Sequence, residues 1–257
     1  MYDNLKKGTV EMNLIDNYSL RIHEILTEAF TKERENMETC ATMIADANCE
    51  GRSIFAFGCN HAGLVTLELF YRSGGMVTIN PVRSPGMMLE ISPPTMTSEM
   101  ERMAGYGRIL FKNLPAKAGD ILIMHSVSGR NAVTIDMAEA AREAGLDVIV
   151  LTNMTTATSV PSRHPSGKML HDFATVLIDN HGDLGDASVT IEGFPQRLAP
   201  SSTVVGAAIL NAIVARASEI LFERGVTPPV FMSGNLEGGD AYNKAVIAEH
   251  RDNIFYM

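Results

Sequence analysis

Five short apolar runs, rich in β-branched and aromatic residues, alternate with helical patterns, and this alternation constrains the fold more than any other feature. The runs cover residues 53–57, 76–79, 121–124, 147–151 and 174–178. A strand followed by a helix and then by another strand forms the parallel crossover unit. The sequence therefore predicts an α/β fold: a doubly wound five-stranded parallel sheet in flavodoxin-like order, flanked by helices, with ligands at the carboxyl edge of the strands.

The first part of the chain predicts the outer boundaries of this domain. Residues 1–12 are expected to form a flexible N-terminal arm and residues 13–257 a single domain. Apolar residues recur at three- and four-residue intervals over residues 14–47, which predicts a leading helix with a break near residues 31–35. Such a stripe packs on the core or on a second subunit, so we expect a homodimer or homotetramer.

The remaining segments differ in composition. Prolines and methionines crowd residues 82–115, which predicts an irregular insert acting as a lid or an interface. A helix is expected to resume over residues 97–114, where Glu99 and Glu101 fit a solvated helix face, with a carboxylate on a lid as the alternative. The apolar segment 202–223 predicts a buried helix, and the C-terminal tail that follows predicts a short one.

Charge and cysteine content exclude several function classes. The formal charge of −9, without any basic run, disfavours nucleic acid as a partner. Neither a signal peptide nor a membrane-spanning segment is expected. The three cysteines form neither a metal-binding pair nor an even disulfide framework, which fits reduced thiols. We therefore expect a cytoplasmic protein without a membrane or nucleic-acid partner.

A polar loop follows the run 121–124 and precedes a helical pattern. It contains Ser126, Ser128, Gly129, Arg130 and Asn131. Helix N-termini leave backbone N–H groups unpaired and carry a partial positive charge, so hydroxyls, an amide and a guanidinium at this point predict an anion site. The alternative is that Ser128 or Asn131 merely caps the helix.

The loop after the first strand carries Gly58, Asn60, His61 and Gly63. A dinucleotide fold would place a second glycine where Asn60 stands and an acidic residue at the end of the next strand, and neither is present. We therefore expect no nicotinamide cofactor. If the first and third strands adjoin, Asn60 and His61 can contact a ligand bound at the 126–131 loop, although an exposed His61 without function is an equal alternative.

These residues resemble the SIS (sugar isomerase) domain. The 126–129 loop is similar to that family's phosphosugar loop, and Ser201, Ser202 and Thr203 resemble its later Ser/Thr-rich helix start. The likeness extends from about Leu20 to the end of the chain and is strongest to a sugar-isomerase-like branch related to the phosphoheptose isomerases. It implies a phosphorylated sugar as ligand. Where this branch usually carries hydroxyl and imidazole groups, the chain has Ala62 and Gly63 instead.

Isomerisation or elimination beside a carbonyl requires a base for a carbon-bound proton and an acid for oxygen. Glu68 is the predicted base, because related heptose-phosphate isomerases carry a catalytic glutamate on the equivalent helix and apolar neighbours could raise its pKa. A structural ion pair with Arg72 is the alternative. Asn211 lies near the position of those enzymes' acid–base histidine, so His61 or His164 would have to act as the acid.

The sequence thus predicts a phosphosugar-binding protein that performs metal-independent isomerisation or elimination, without a cofactor. The histidines and aspartates between residues 164 and 186 match no compact metal-ligand spacing. The alternative is a non-catalytic sugar-phosphate sensor that acts through a protein partner. A sensor needs the phosphate loop but no base.

Overall fold

The structure, a computed structural model, describes residues 12–257, so the predicted arm lies almost wholly outside the described residues. Five parallel strands form the central sheet: β1 (Ile54–Phe57), β2 (Ile79–Pro81), β3 (Ile121–His125), β4 (Asp147–Thr152) and β5 (Val176–Asp179). Their order is β2-β1-β3-β4-β5. The predicted fold class, with its flavodoxin-like strand order, is confirmed.

Helices cover both faces of this sheet. They are α1 (Leu14–Lys32), α2 (Arg34–Cys49), α3 (His61–Glu68), α4 (Thr95–Met100), α5 (Tyr106–Lys112), α6 (Ala132–Glu143), α7 (Met154–Ala157), α8 (Ser202–Glu223) and α9 (Gly239–Glu249). Short 3-10 turns lie at Pro85–Met87, Leu170–Phe173 and Arg251–Asn253.

Alternate residues of each strand are buried on opposite faces, as the two-residue period of a strand requires. Ile54 and Ile121 belong to a core that includes residues of α1, α2, α3 and α8. Phe55 and Leu122 belong to the opposite core, which includes residues of α6. β1 and β3 are buried throughout on both faces, and they are accordingly continuous apolar runs, which is typical of parallel sheets.

The leading helical pattern divides in two at Glu33, within the predicted interval 31–35. Asn13 caps α1 through a reciprocal capping box with Asp16, and α2 starts directly after Glu33. Among the described residues, α8 is the single helix whose length and hydropathy would suffice to cross a membrane. Half of that stretch is buried inside the fold, where α8 packs on α2.

Strand β2 starts later than the predicted run over residues 76–79, because the C-terminal tail pairs with the first residues of that run. Strand β2 starts only at Ile79, because Met76 forms an antiparallel bridge with Val230 and the Val77 N–H donates to Pro229 O at 2.7 Å. The C-terminal segment therefore takes the hydrogen bonds that an earlier start of β2 would have used.

The helix expected over residues 97–114 is interrupted. It consists of α4, which ends at Met100, and α5, which starts at Tyr106 directly after Gly105, whose φ is +87°. Glycine adopts this left-handed backbone without a steric penalty. An antiparallel hairpin, β6 (Ala187–Val189) with β7 (Leu198–Pro200), was not predicted.

Candidate functional site

The loops that follow β1 and β3 meet at the carboxyl edge of the sheet. The two strands pair in parallel from Ile54 opposite Ile121 to Phe57 opposite Met124, so both chains leave the sheet side by side. The strand order changes direction at this pair, and in open α/β sheets ligands bind in the crevice at such a switch point. Residues 58–63 and 126–131 therefore border the place where such a crevice is expected.

The 126–131 loop is held in one conformation by its neighbours. Thr152 Oγ1 donates to Ser126 O at 2.6 Å, and the Gly129 N–H donates to Ser126 Oγ at 3.2 Å. Gly129 has φ +60°, and a Cβ there would lie 3.1 Å from Leu170 Cβ, whose own N–H donates to Gly129 O at 2.8 Å. A glycine is therefore required at this close approach.

The predicted anion-binding groups lie on this rigid loop. Ser126 and Ser128 are partly buried, and the Ser128 hydroxyl has no hydrogen-bond partner among residues 12–257. Asn131 is the N-cap residue of α6 by position, but its side chain makes no capping bond. Its Oδ1 instead accepts from Arg163 Nη1 at 2.9 Å. The alternative role as a helix cap is therefore not what the structure shows for Asn131.

The insert contributes a carboxylate to the crevice. The Glu101 carboxylate accepts from Asn60 Nδ2 at 3.0 Å, and the Glu101 main-chain O accepts from the Val133 N–H at the start of α6 at 3.1 Å. Burial raises the pKa of Glu101, against the opposing effect of hydrogen bonds from Asn60 and Asn131. Glu101 was expected on a solvated helix face, and helical periodicity alone carried no signal for this contact.

The positive charges of Arg102 and Arg163 favour the ionised form of Glu101, and neither arginine was predicted as a site residue. Burial and the positive charges of Arg130 and Arg102 lower the pKa of Arg163, while Glu101 acts in the opposite direction. Arg130 Nε is buried without a hydrogen-bond partner. Arg163 follows β4 by about ten residues, and a loop position of that kind gives no sequence signal for a contact with the 126–131 loop.

Asn60 has a backbone conformation that other residues rarely adopt, with φ 54° and ψ −130°. Strain of this kind costs on the order of 1–3 kcal/mol and clusters at ligand-binding sites. Its N–H donates to Met87 O at 2.9 Å, and its Oδ1 is buried without a partner in the described chain. His61 follows as the exposed first residue of α3. The roles of Asn60 and His61 as ligand contacts stay predictions.

The serines at the start of α8 are hydrogen-bonded to the carboxylate of an aspartate in the same chain. Ser201 and Ser202 are buried, and the Asp186 carboxylate accepts from both backbone N–H groups and from both hydroxyls at 2.7 to 3.3 Å. Thr203 is partly buried. Their role as ligand contacts stays a prediction, since a ligand would have to share Ser201 and Ser202 with Asp186.

Glu68 lies at the far end of α3. Its carboxylate forms an ion pair with Arg72 and accepts from Asn211 Nδ2 at 3.3 Å. A rise of 1.5 Å per residue places Glu68 about 10 Å along the helix axis from His61. The structure therefore does not bring Glu68 against the 126–131 loop within one chain, and its catalytic role stays a prediction.

His164 contacts a residue of α6 and a residue of its own loop. His164 Nε2 lies 3.1 Å from Asp136 Oδ1, and Nδ1 lies 2.7 Å from Ser166 Oγ. This side chain is therefore engaged on α6. Within residues 12–257, no group of three or more His, Cys, Asp or Glu side chains is arranged to hold a metal ion.

Comparison with known proteins decides the family. The family model of the SIS domain matches residues 17–153, more than half of the chain. The chain belongs to the SIS domain family. The resemblance inferred from the 126–129 loop is thereby confirmed. A UPF0309 protein of Shouchella clausii is 45% identical to this SIS-domain chain over 246 residues, which cover 96% of the chain and 100% of that protein.

Other relatives agree with this placement. A UPF0309 protein of Streptomyces griseus is 39% identical over 233 residues, covering 90% of this SIS-domain chain and 93% of that protein. A solved phosphoheptose isomerase from Francisella tularensis superimposes with a TM-score of 0.51 and 14% identity, over 81% of this chain and 100% of that one. At this identity the likeness concerns the fold.

His125, the last residue of β3, lies directly beneath the crevice. It is 1% exposed, its Nδ1 lies 3.2 Å from Ala62 O, and its Nε2 is buried without a partner in the described chain. Burial lowers the pKa of His125 to about 4, and the Ala62 carbonyl and Asp186 only partly oppose this effect. His125 is therefore neutral at pH 7 and donates its Nδ1 proton to Ala62 O.

The lowered pKa of His125 predicts that the fold is less stable in acid. The unfolded chain binds a proton at His125 below its usual pKa of about 6.5, but the folded chain does so only near 4, so stability is lost as the pH falls through that interval. We expect the loss from this group to approach about 3 kcal/mol. Urea unfolding at pH 4 to 7.5 should show that the free energy of unfolding depends less on pH in His125→Gln than in the wild type. An equal pH dependence in both proteins would contradict this.

Proposed function

We propose that this SIS-domain protein binds a phosphorylated sugar, an amino sugar or a related hexose derivative, in the crevice between the 58–63 and 126–131 loops. The observation that carries the proposal is the rigid 126–131 loop, which presents the unpaired Ser128 hydroxyl and the buried Arg130 Nε at the switch point of the sheet. Both groups donate hydrogen bonds, and a phosphate accepts them. The likeness in fold to a phosphoheptose isomerase supports a phosphosugar as the ligand.

We expect binding to raise the melting temperature only for phosphorylated sugars. A ligand at about 100 times its Kd stabilises by roughly 3 kcal/mol, which for a chain of this size is a shift of about 5–10 °C. Ser128→Ala should abolish most of this shift. Ser218→Ala is the matched control, because that hydroxyl donates to Val214 O on α8, remote from the loop. Equal shifts with unphosphorylated sugars, or an unaffected Ser128→Ala, would contradict the proposal.

We further propose that Glu68 removes the carbon-bound proton in a metal-independent isomerisation or elimination. An open-chain sugar phosphate extends over several bonds between its phosphorus and the reacting carbon, so the base need not touch the phosphate loop. The ion pair with Arg72 and the bond from Asn211 hold the carboxylate in place. His61, at the crevice end of the same helix, is the proposed acid.

Glu68→Gln should lower turnover by about 10²–10⁴-fold, the range for loss of a positioned base, while the ligand-induced thermal shift persists. Glu101→Gln is the matched variant, because the Glu101 carboxylate accepts from Asn60 in the loop after β1. Turnover that survives in Glu68→Gln but is lost in Glu101→Gln would transfer the role of base to Glu101. Undiminished turnover in both variants would remove the carboxylate mechanism.

A sensor is the second proposal, since the distance of Glu68 from the 126–131 loop is compatible with binding without catalysis. Ligand binding without turnover of any bound sugar phosphate would favour it.

We also propose a cytoplasmic homodimer or homotetramer. The support is apolar surface: Ile15 on α1 and Phe222 on α8 are 79% and 74% exposed, and Leu236 in the tail is 58% exposed.

A further inference from the structure

Building on the proposed phosphosugar binding, we propose that Asp186 is a specificity-determining residue. Its carboxylate fills the start of α8, so the crevice accepts a sugar with a single phosphate, bound at the 126–131 loop, and rejects a sugar with a second anionic group. Asp186 lies between β5 and β6, directly before the hairpin. Neither the phosphate loop nor Glu68 supplies such a choice between ligands.

The Asp186 carboxylate takes the hydrogen-bond donors with which the start of α8 would otherwise hold an anion. Asp186 Oδ1 accepts from the Ser201 N–H at 3.0 Å and from the Ser202 N–H at 2.7 Å. The Ser202 hydroxyl donates to Asp186 Oδ2 at 2.7 Å, and the Ser201 hydroxyl donates to Oδ1 at 3.3 Å. Backbone N–H groups at a helix N-terminus are the donors that bind phosphates and carboxylates. This helix start therefore already holds an anion of its own chain.

The fold keeps Asp186 in this place against an unfavourable backbone conformation. Asp186 has φ +75°, in the left-handed region that residues other than glycine, asparagine and aspartate rarely adopt. Its main-chain O also accepts from the Ser201 N–H, at 3.2 Å, so main chain and side chain both bind the same serine. Strain of this kind persists only where the surrounding contacts over-determine it. The carboxylate is therefore a fixed part of the helix start.

The start of α8 lies at the same edge of the sheet as the 126–131 loop. Asn153, the residue after β4, contacts this loop directly, because its N–H donates to Val127 O at 3.1 Å. On its other side, a Cβ on Gly182 would lie 2.8 Å from Asn153 Nδ2 and 3.1 Å from Ser201 Oγ. Gly182 thus fills the narrow space between Asn153 and Ser201. One residue and one glycine separate the phosphate loop from the start of α8.

The next turn of α8 packs on the end of β3 and on α3. A Cβ on Gly206 would lie 3.5 Å from His125 Nε2 and 3.2 Å from Val65 Cγ1. Ser202 precedes Gly206 by four residues, so both lie on the same face of the helix. His125 is the residue directly before the phosphate loop, and Val65 belongs to the helix of the proposed base. A sugar that extends from the loop along α3 therefore passes the carboxylate at the start of α8.

The carboxylate makes this end of the crevice unfavourable for anions. A helix N-terminus carries roughly half a positive charge, which the full negative charge of Asp186 exceeds. No nitrogen of a lysine, arginine or histidine side chain in residues 12–257 lies within 4.0 Å of this carboxylate to neutralise it. Hydroxyl groups and the ammonium of an amino sugar donate hydrogen bonds to the lone pairs that the carboxylate keeps. The site therefore favours sugar monophosphates whose other substituents are neutral or cationic.

Titration calorimetry with glucose 6-phosphate and glucose 1,6-bisphosphate tests this specificity. The wild type should bind the monophosphate more tightly by roughly tenfold or more, because a second phosphate meets a like charge a few ångströms away. Asp186→Asn should reduce this ratio of affinities to near one. Asparagine tolerates the left-handed backbone and keeps an oxygen for the two N–H groups, so only the charge is removed. A merely structural role would weaken both ligands equally and leave the ratio unchanged.

Asp46→Asn is the matched control. It removes the same charge from α2, where Asp46 pairs with Arg224, and α2 ends before β1 begins, at the opposite edge of the sheet. It should keep the wild-type ratio. An unchanged ratio in Asp186→Asn, an equal change in Asp46→Asn, or a wild type that binds the bisphosphate as tightly as the monophosphate would overturn the role of Asp186.

A second variant separates this role from the proposed function. Asp186→Gly suits φ +75° and leaves the donors of α8 empty, so it should bind one more inorganic phosphate per chain than the wild type. If glucose 6-phosphate binds but neither the ratio nor the phosphate stoichiometry changes, the proposed function stands and the role of Asp186 is overturned. If Asp186→Gly gains a phosphate but no sugar phosphate binds to any variant, Asp186 does exclude anions and the proposed sugar ligand is wrong.

Discussion

The parallel pairing of β1 with β3 is the contact on which every part of the site depends. It places Phe57 opposite Met124, so the loops that follow these strands leave the sheet side by side. Asn60 and the 126–131 loop are neighbours only because of this register. A shift by one residue would exchange the two faces of a strand and bury the wrong side chains. The two apolar cores on either face of the sheet therefore also fix the geometry of the crevice.

The local charge at the crevice is opposite in sign to the net charge of the chain. The protein is acidic, with a formal charge of −9, yet Arg130 and Arg163 are neighbours at the 126–131 loop, where the Arg163 N–H donates to Arg130 O at 2.8 Å. Arginine remains charged under all ordinary conditions, so this pair cannot relieve its repulsion by losing protons. Arg130 is partly buried, which strengthens its attraction for an incoming anion because fewer water molecules screen it. A small and local positive site is sufficient for a phosphorylated metabolite, even in an acidic protein.

Much of the fold could be predicted because its determinants are local. Strands buried on both faces appear as continuous apolar runs, and the alternation of strands with helices predicted the sheet. The helical pattern also predicted the break at Glu33 and the extent of α8. The early start predicted for β2 was wrong in detail, because the distant tail competes for the backbone of Met76 and Val77.

The candidate site was predicted in part, for a similar reason. Ser126 and Ser128 follow a strand directly, so their place at the sheet edge could be inferred from neighbouring residues. Glu101 and Arg163 lie in irregular segments whose path depends on tertiary contacts, and their approach to the loop left no pattern in the sequence. The engagement of Ser201 by Asp186 is likewise long-range, since the aspartate precedes an unpredicted hairpin.

A crystal structure with a bound sugar phosphate tests the central claim most directly. We expect phosphate oxygens within about 3 Å of Ser128 Oγ and of the Arg130 guanidinium, at the carboxyl edge of β1 and β3. The chain also has an open cleft of about 540 Å³ between residues 71–73 and Lys244, on another part of the surface. A phosphate bound in that cleft, with the 126–131 loop unchanged and empty, would contradict the account.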